Sequence, residues 1–435
     1  MISIIIFIIL SIASTIFFIY NAKKVYRNIF LGKEIDLSGN TSQRLNIMLR
    51  VAFGQSKMAS RPVPFILHLF VYVGFVLINV EVLEMVVDGL FHTHRAFSFL
   101  GSTYNLLIAF FEILAFLVTF GCAVFLIRRN VVKVKRFLNK ELDGWPRSDA
   151  NIILCSEIIL MSALFIMNAA DQNLQARGNE HYHIAGSFPI SHFIVSALSG
   201  ISDSSLIFIE RFCWWLHIFG IFGFLNYLPY SKHFHILLAF PNTYLSNLNP
   251  KGKFSNLDSV TDVVKPNFDS SYQPVTDPNN PQRFGAKDIF DLTWKQLLDA
   301  YTCTECGRCT SSCPQNITGK ALSPRKIMMD TRDRLVEVGK NIDKNKGNFI
   351  DDGKSLLGNY ITNEEIWACN TCNACVQECP VNIDPLAIIM DMRQYLVMEQ
   401  SAAPTELNGM FSNIENNGAP WQFSPADRAN WINEA

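Results

Sequence analysis

The sequence predicts an all-α protein, a bundle of membrane-crossing helices followed by a smaller soluble helical domain. Three observations predict it. Five apolar stretches reach the roughly 20 residues that a helix needs to cross a bilayer. Beyond residue 284, apolar residues recur at helical spacing behind recognisable helix starts. Two cysteine-rich segments in that region are separated by a spacer too long for a compact β-containing module.

The apolar stretches run roughly 2–20, 63–87, 104–127, 150–170 and 208–238, within a membrane domain of residues 1–240. The first opens MISIIIFII with no basic residue before it, and its charges, NAKKVYR, come afterwards. That order argues against a cleaved signal peptide and for a retained span. Lys and Arg number eight in 21–62 and seven in 128–149, but one each in 88–103 and 171–207. The positive-inside rule therefore puts the N-terminus outside and everything after the fifth span in the cytoplasm. Thiols there meet a reducing environment, which disfavours disulfides.

Residues 1–240 hold 19 Lys and Arg against 14 Asp and Glu, and residues 241–435 hold 18 against 24. Neither half has the dense basic face of a nucleic-acid binder, so no nucleic-acid partner is expected. Residues 241–284, with PNTYLSNLNPKGKF and VTDPNNPQRF, read as an extended connector. Residues 285–400 form a soluble domain with an internal repeat, and 401–435 form a tail.

The repeat is CTECGRCTSSCP at 303–314 and CNTCNACVQECP at 369–380, two combs of spacing C-x2-C-x2-C-x3-C-P. Three cysteines at this pitch wrap three corners of an iron–sulfur cube, and the fourth ligates the other cube. One [4Fe-4S] cluster is thus assigned to Cys303, Cys306, Cys309 and Cys379, and the other to Cys369, Cys372, Cys375 and Cys313. Structural zinc is the rival, yet it has no use for a third cysteine or a repeated trailing proline. Cys122, Cys155 and Cys213 are scattered through apolar runs and read as small core residues. Thr293 with Gln296, and Thr362 with Glu365, fit capping boxes opening a helix before each comb. Ser323-Pro324 and Asp384-Pro385 fit the starts of helices after the combs.

An ionisable residue inside a span is a functional candidate. His68, near the cytoplasmic end of the second span, and His235, in YLPYSKHFHIL with His233, match in depth. Two imidazoles facing each other across a bundle can be the axial ligands of haem b. His217 lies 18 residues before His235, about 27 Å along one continuous helix at about 1.5 Å per residue. It is a candidate for a second haem, but the positions opposite, Ile78 and Asn79, are poor ligands. His92, His94, His181, His183 and His192 lie on outer loops and are expected to face water. Glu81, Glu84 and Glu112, with Glu157, fall inside spans, and the first three are candidates for a quinone and proton site. The alternative for each is bonding to Arg or backbone at a helix end.

With these residues in place, the five spans, His68 and the WWLH…YLPYSKHFHI segment resemble the cytochrome b subunits of respiratory nitrate reductase and membrane-bound heterodisulfide reductase. The segment from about 285 resembles the two-cluster subunit of heterodisulfide reductase and the small iron–sulfur subunit of anaerobic glycerol-3-phosphate dehydrogenase. The resemblance implies a five-helix transmembrane cytochrome b-like bundle followed by a cytoplasmic α-helical ferredoxin domain, in a bacterial inner membrane. In the nitrate reductase relative, two histidines on the second span pair with two on the fifth. His68, His217 and His235 fit that plan, and the fourth position is missing. The tail resembles the join that leads, in fused relatives, into a cysteine-rich CCG domain. It implies a separate CCG-domain iron–sulfur subunit docking around Pro420, Trp421, Phe423 and Trp431, or an electron-transfer flavoprotein as partner.

The function expected is a membrane-bound oxidoreductase subunit passing electrons between a cytoplasmic partner and menaquinone or another quinone. The competing reading is a membrane anchor whose clusters only hold the fold. Transport is a third, without the paired broken spans that a transport site needs.

Overall fold

The computed structural model describes residues 2–250, 252–254, 256–275, 283–422 and 424–433. It is 69% helical, with no strand among the described residues. Five helices are long and apolar enough to cross a membrane. They are α1 (Ile2–Ile29), α2 (Pro62–Phe91), α3 (Ser102–Asn130), α4 (Trp145–Ala176) and α5 (Asp203–Tyr227). The first four outrun their apolar stretches, because hydropathy marks only the lipid-facing part of a helix whose polar ends continue. In chain order, α2 packs on α3, α3 on α4 and α4 on α5, while α1 lies against α5 and α2. Only 6% of the apolar window of α1 is buried. Its Ile2, Ile5, Ile9, Ile12 and Ile16 form an apolar face suited to lipid rather than water.

The fifth helix departs from the expected 208–238. It ends at Tyr227, passes through a 3-10 turn at Leu228–Tyr230, and becomes extended at Ser231. Pro229 lacks a backbone donor to continue the helix, and the Ser231 hydroxyl accepts from the His233 amide at 3.1 Å. A new helix, α6 (His235–Tyr244), starts there. His217 and His235 therefore stand on different helices, and the 27 Å separation along one helix does not apply. The expected connector from 241 also contains helix, namely the end of α6 and the short segment Asp258–Val264.

The soluble part comprises α7 (Trp294–Thr302), α8 (Arg308–Ser312), α9 (Pro324–Lys344), α10 (Asn363–Trp367), α11 (Ala374–Glu378) and α12 (Pro385–Met398), with α13 (Thr405–Asn417) in the tail. Its helices start where their capping residues stand. Thr293 with Gln296 and Thr362 with Glu365 form complete capping boxes on α7 and α10. Ser323 and Asp384 cap α9 and α12, each with proline in the first turn.

The two parts share one core. Val25 and Ile29 of α1, with Leu228 and Phe234, join Leu297, Ile327, Leu335, Ile388 and Met392 in a single buried cluster. The chain after α1 is tied in by its backbone, with the Lys33 amide donating to Leu292 O at 2.7 Å and the Trp294 amide to Lys33 O at 3.0 Å. Gly32 permits this approach, since a Cβ there would lie 2.6 Å from the Leu292 oxygen. Asn28 adds a buried bond to the Tyr301 hydroxyl at 2.9 Å.

Candidate metal centres

Each comb begins as a helix ends and bends through left-handed residues at matching places. Cys303 caps α7, and Glu305 (φ 57°) and Gly307 (φ 71°) turn the loop before α8 carries Cys309. In the second comb Thr371 (φ 55°) and Asn373 (φ 60°) take the same positions before α11 carries Cys375. Cys313 and Cys379 end α8 and α11, and Pro314 starts the short helix after Cys313. The helices α8 and α11 pack on each other, so the fourth cysteine of each comb is carried toward the other comb.

The result is two cavities. One is lined by Cys303, Cys306, Cys309, Cys375 and Cys379. The other is lined by Cys313, Cys369, Cys372 and Cys375. The assigned sets are thus brought together, with Cys375 bordering both. Among the described residues, no three His, Cys, Asp or Glu side chains converge as ligands of a single ion. Cysteines ringing a void suit a polynuclear cube better than one zinc. The Thr371 amide donates to Cys369 Sγ at 3.4 Å and the Ile383 amide to Cys379 Sγ at 3.3 Å, contacts of the kind that tune cluster potentials. Burial pushes the Cys303 thiol up to about 11 and the Cys379 thiol up to about 12. Metal loading must therefore displace protons, because the ligand is the thiolate.

The histidine segment lies against the first comb. His68, His233 and His235 are within electrostatic range of one another. His68 Nδ1 bonds Gln55 Oε1 at 3.1 Å, and His235 Nδ1 bonds the Lys232 carbonyl at 3.1 Å. Donation from Nδ1 sets the tautomer and leaves Nε2 able to ligate, as is usual for metal-bound histidine. Both imidazoles thus keep Nε2 for a ligand, as a bis-histidine haem would require. His233, which the sequence places beside His235 without a role, has its ring 5.4 Å from that of His235 and 5.2 Å from Phe224. His217 is buried with Nδ1 on the Leu160 carbonyl at 3.0 Å. Ile78 belongs to the apolar core and Asn79 bonds its own helix, so neither position that the sequence put opposite His217 offers a ligand.

Between histidines and cysteines runs a clamp of charges. Lys232, next to His233, pairs with Glu305, whose other oxygen takes Arg332 at 2.7 Å. Burial alone would raise the Glu305 carboxyl, but Arg332 and Lys232 outweigh it and hold it below its usual range. Lys57 donates to the carbonyls of Val376 and Cys379 at 3.2 and 3.1 Å, and Arg61 pairs with Glu378 at 3.0 Å. Arg325 bonds Glu141 and the Arg136 carbonyl, each at 2.8 Å. None of these partners was legible from spacing, since each joins residues distant in sequence.

At the opposite end of the bundle the three carboxylates separate in character. Glu112 accepts from Asn168, Ile190 and Ser191, and Glu84 from Phe97 and Tyr104. Both pin loops. Glu81 is 4% exposed, and neither carboxylate oxygen has a hydrogen-bond partner among the described residues. His94 does not face water as expected. Its Nε2 lies 3.1 Å from Asp171, which also holds Arg95 at 2.8 Å, and both side chains are buried. In the tail, Trp421 and Trp431 are exposed, Pro420 O is bonded by Asn413, and Phe423 lies outside the described residues.

Residues 302–383 match the model of a 4Fe-4S dicluster domain. The chain is related to iron–sulfur oxidoreductases. It is similar to the probable iron-sulfur-binding oxidoreductase FadF of Bacillus subtilis, 29% identical over 99% of this chain and 60% of that protein. It is similar to the EtfAB:quinone oxidoreductase of Syntrophomonas wolfei, 26% identical over 99% of this chain and 59% of that protein. A probable membrane-anchored ferredoxin of Chromohalobacter salexigens is 32% identical over 34% of this chain and 24% of its own length. The chain spans about 60% of the length of the first two relatives. No solved structure matches it.

Proposed function

We propose that the chain is the membrane-bound electron-transfer part of a quinone-linked oxidoreductase, working between a cytoplasmic redox partner and the quinone pool. The observation that carries this is adjacency: one buried clamp, Lys232–Glu305–Arg332, joins the His233–His235 segment to the loop of Cys303 and Cys306. Cys303, Cys306, Cys309 and Cys379 would hold one [4Fe-4S] cluster, Cys369, Cys372, Cys375 and Cys313 the other, and His68 and His235 haem b. These groups, when bound, supply one-electron chemistry.

The chain's own residues orient and insulate them. Gln55 and the Lys232 carbonyl fix the two imidazoles. Comb 1 is the membrane-side station, since Lys57, Arg61, Lys232 and the Arg136 carbonyl seat the loops around its cavity. Comb 2 is the partner-side station, since Cys372 is exposed. The partner is an electron-transfer flavoprotein, as the name of the Syntrophomonas relative suggests, or a separate CCG-domain subunit docking on the exposed Trp421 and Trp431. Of the three carboxylates, Glu81 suits proton exchange with menaquinone or another quinone, because Glu84 and Glu112 are occupied in holding loops. The Lys and Arg asymmetry of the loops supports a bacterial inner membrane with the N-terminus outside and the clusters in the cytoplasm.

Visible spectroscopy of the dithionite-reduced protein tests the haem assignment. His68→Ala and His235→Ala should each abolish the b-type absorbance, while His233→Ala should retain it. An unchanged spectrum in either of the first two rejects the ligand pair. Redox titration separates electron transfer from mere anchoring: clusters that never change state across the quinone range favour the anchor.

A further inference from the structure

The loop of comb 1 carries a charge with no role so far. Arg308, between Cys306 and Cys309, is 3% exposed and lines the first cavity. Its Nη1 has no hydrogen-bond partner among the described residues. Arg325 lines the same cavity and also has an unpartnered Nε among the described residues, but its charge is paired with Glu141, and it bonds the Arg136 carbonyl. A buried guanidinium with an idle donor is costly, and it persists where an anion faces it. Arg308 is within electrostatic range of Cys306 and Cys379, together with Arg61 and Glu378, which pair with each other. It is also within electrostatic range of His68. In comb 2 the matching position is Ala374. Arg393, beside Cys369, stands outside that comb and donates to the backbone carbonyls of Ile366 and Cys369.

We propose that Arg308 is an electrostatic control residue, holding the cluster of Cys303, Cys306, Cys309 and Cys379 at a higher potential than its twin. The inference rests on the assignment of an iron–sulfur cube to this cavity. A cube held by four thiolates is negative and becomes more so on reduction, which adds one electron and neither makes nor breaks a bond. A fixed positive charge at the cavity wall, shielded from water, favours the reduced state. Arg308 thereby biases electrons to rest on the membrane-side station.

EPR-monitored redox titration of the purified full chain in detergent tests this, with Cys372→Ser identifying the signal of the second cluster. Arg308→Gln should make reduction of the first cluster about tenfold less favourable, about 59 mV for one electron, and leave the second unmoved. Arg308→Lys, which keeps the charge, should retain most of the native midpoint. An unmoved first cluster, or equal shifts in both variants, overturns the proposal. Should Arg308→Gln fail to hold iron, the native midpoints decide: the first cluster above the second supports it, and the reverse order overturns it. A native chain with no iron at all would sink the cluster assignment itself.

Discussion

Comb 1 and comb 2 bend alike, with left-handed residues two and four positions after the first cysteine, yet they live in different surroundings. Around comb 1, Glu305 is buried between Lys232 and Arg332, and Arg308 stands at the cavity wall. Around comb 2, Thr371 and Asn373 take the equivalent places and Cys372 is exposed. Glu305 and Thr371 both accept a backbone conformation that side chains disfavour, a strain that marks functional loops. The comparison teaches that cysteine spacing governs what a loop can hold, whereas its neighbours govern what the held group is wired to.

The largest test of the comparison is the exchange of fourth ligands. Cys379→Ser, though in the sequence of comb 2, should eliminate the EPR signal of the first cluster and spare the second. Cys313→Ser should do the converse, and loss following the sequence comb in each case would break the pairing. Next comes the clamp. Glu305→Ala leaves Lys232 and Arg332 with only the more distant Asp149 and Asp333, at 3.8 and 3.5 Å, at a cost of about 3 kcal/mol, whereas Thr371→Ala should cost about 0.5 kcal/mol. Thermal unfolding of the detergent-solubilised variants measures both, and equal losses would erase the difference between the combs. The smallest effect concerns pH. Burial alone would raise the Glu141 carboxyl, but Arg325 holds it below its usual range. The stability it lends to the seat of comb 1 is present above the ordinary carboxylate range. It is lost as pH falls through the depressed value, so Glu141→Gln should flatten the acid limb of the unfolding midpoint.

The helix starts were legible because capping is local: Thr293, Ser323, Thr362 and Asp384 each act within three residues of themselves. The spacing also proposes the crossed cysteine sets, and the two cavities gather those residues with Cys375 bordering both. The end of α5 was less legible, since the apolar run continues past Pro229 while the backbone does not. Depth matching brought His68 and His235 together, but the carbonyls that orient them come from Gln55 and Lys232, which no periodicity marks. His94 was misread because a loop histidine can be buried when its loop folds back, here onto Asp171. Arg308 was hidden at a position between cysteines that the spacing leaves open, and its burial, idle donor and place in the cavity wall without a paired anion mark it out.

The most direct measurement is iron, acid-labile sulfide, zinc and haem determined together on the purified full chain. Two cubes' worth of iron and sulfide, with one haem b per chain, are predicted. Zinc standing in place of iron, or iron without any porphyrin, would contradict the wiring of comb 1 to the histidine pair.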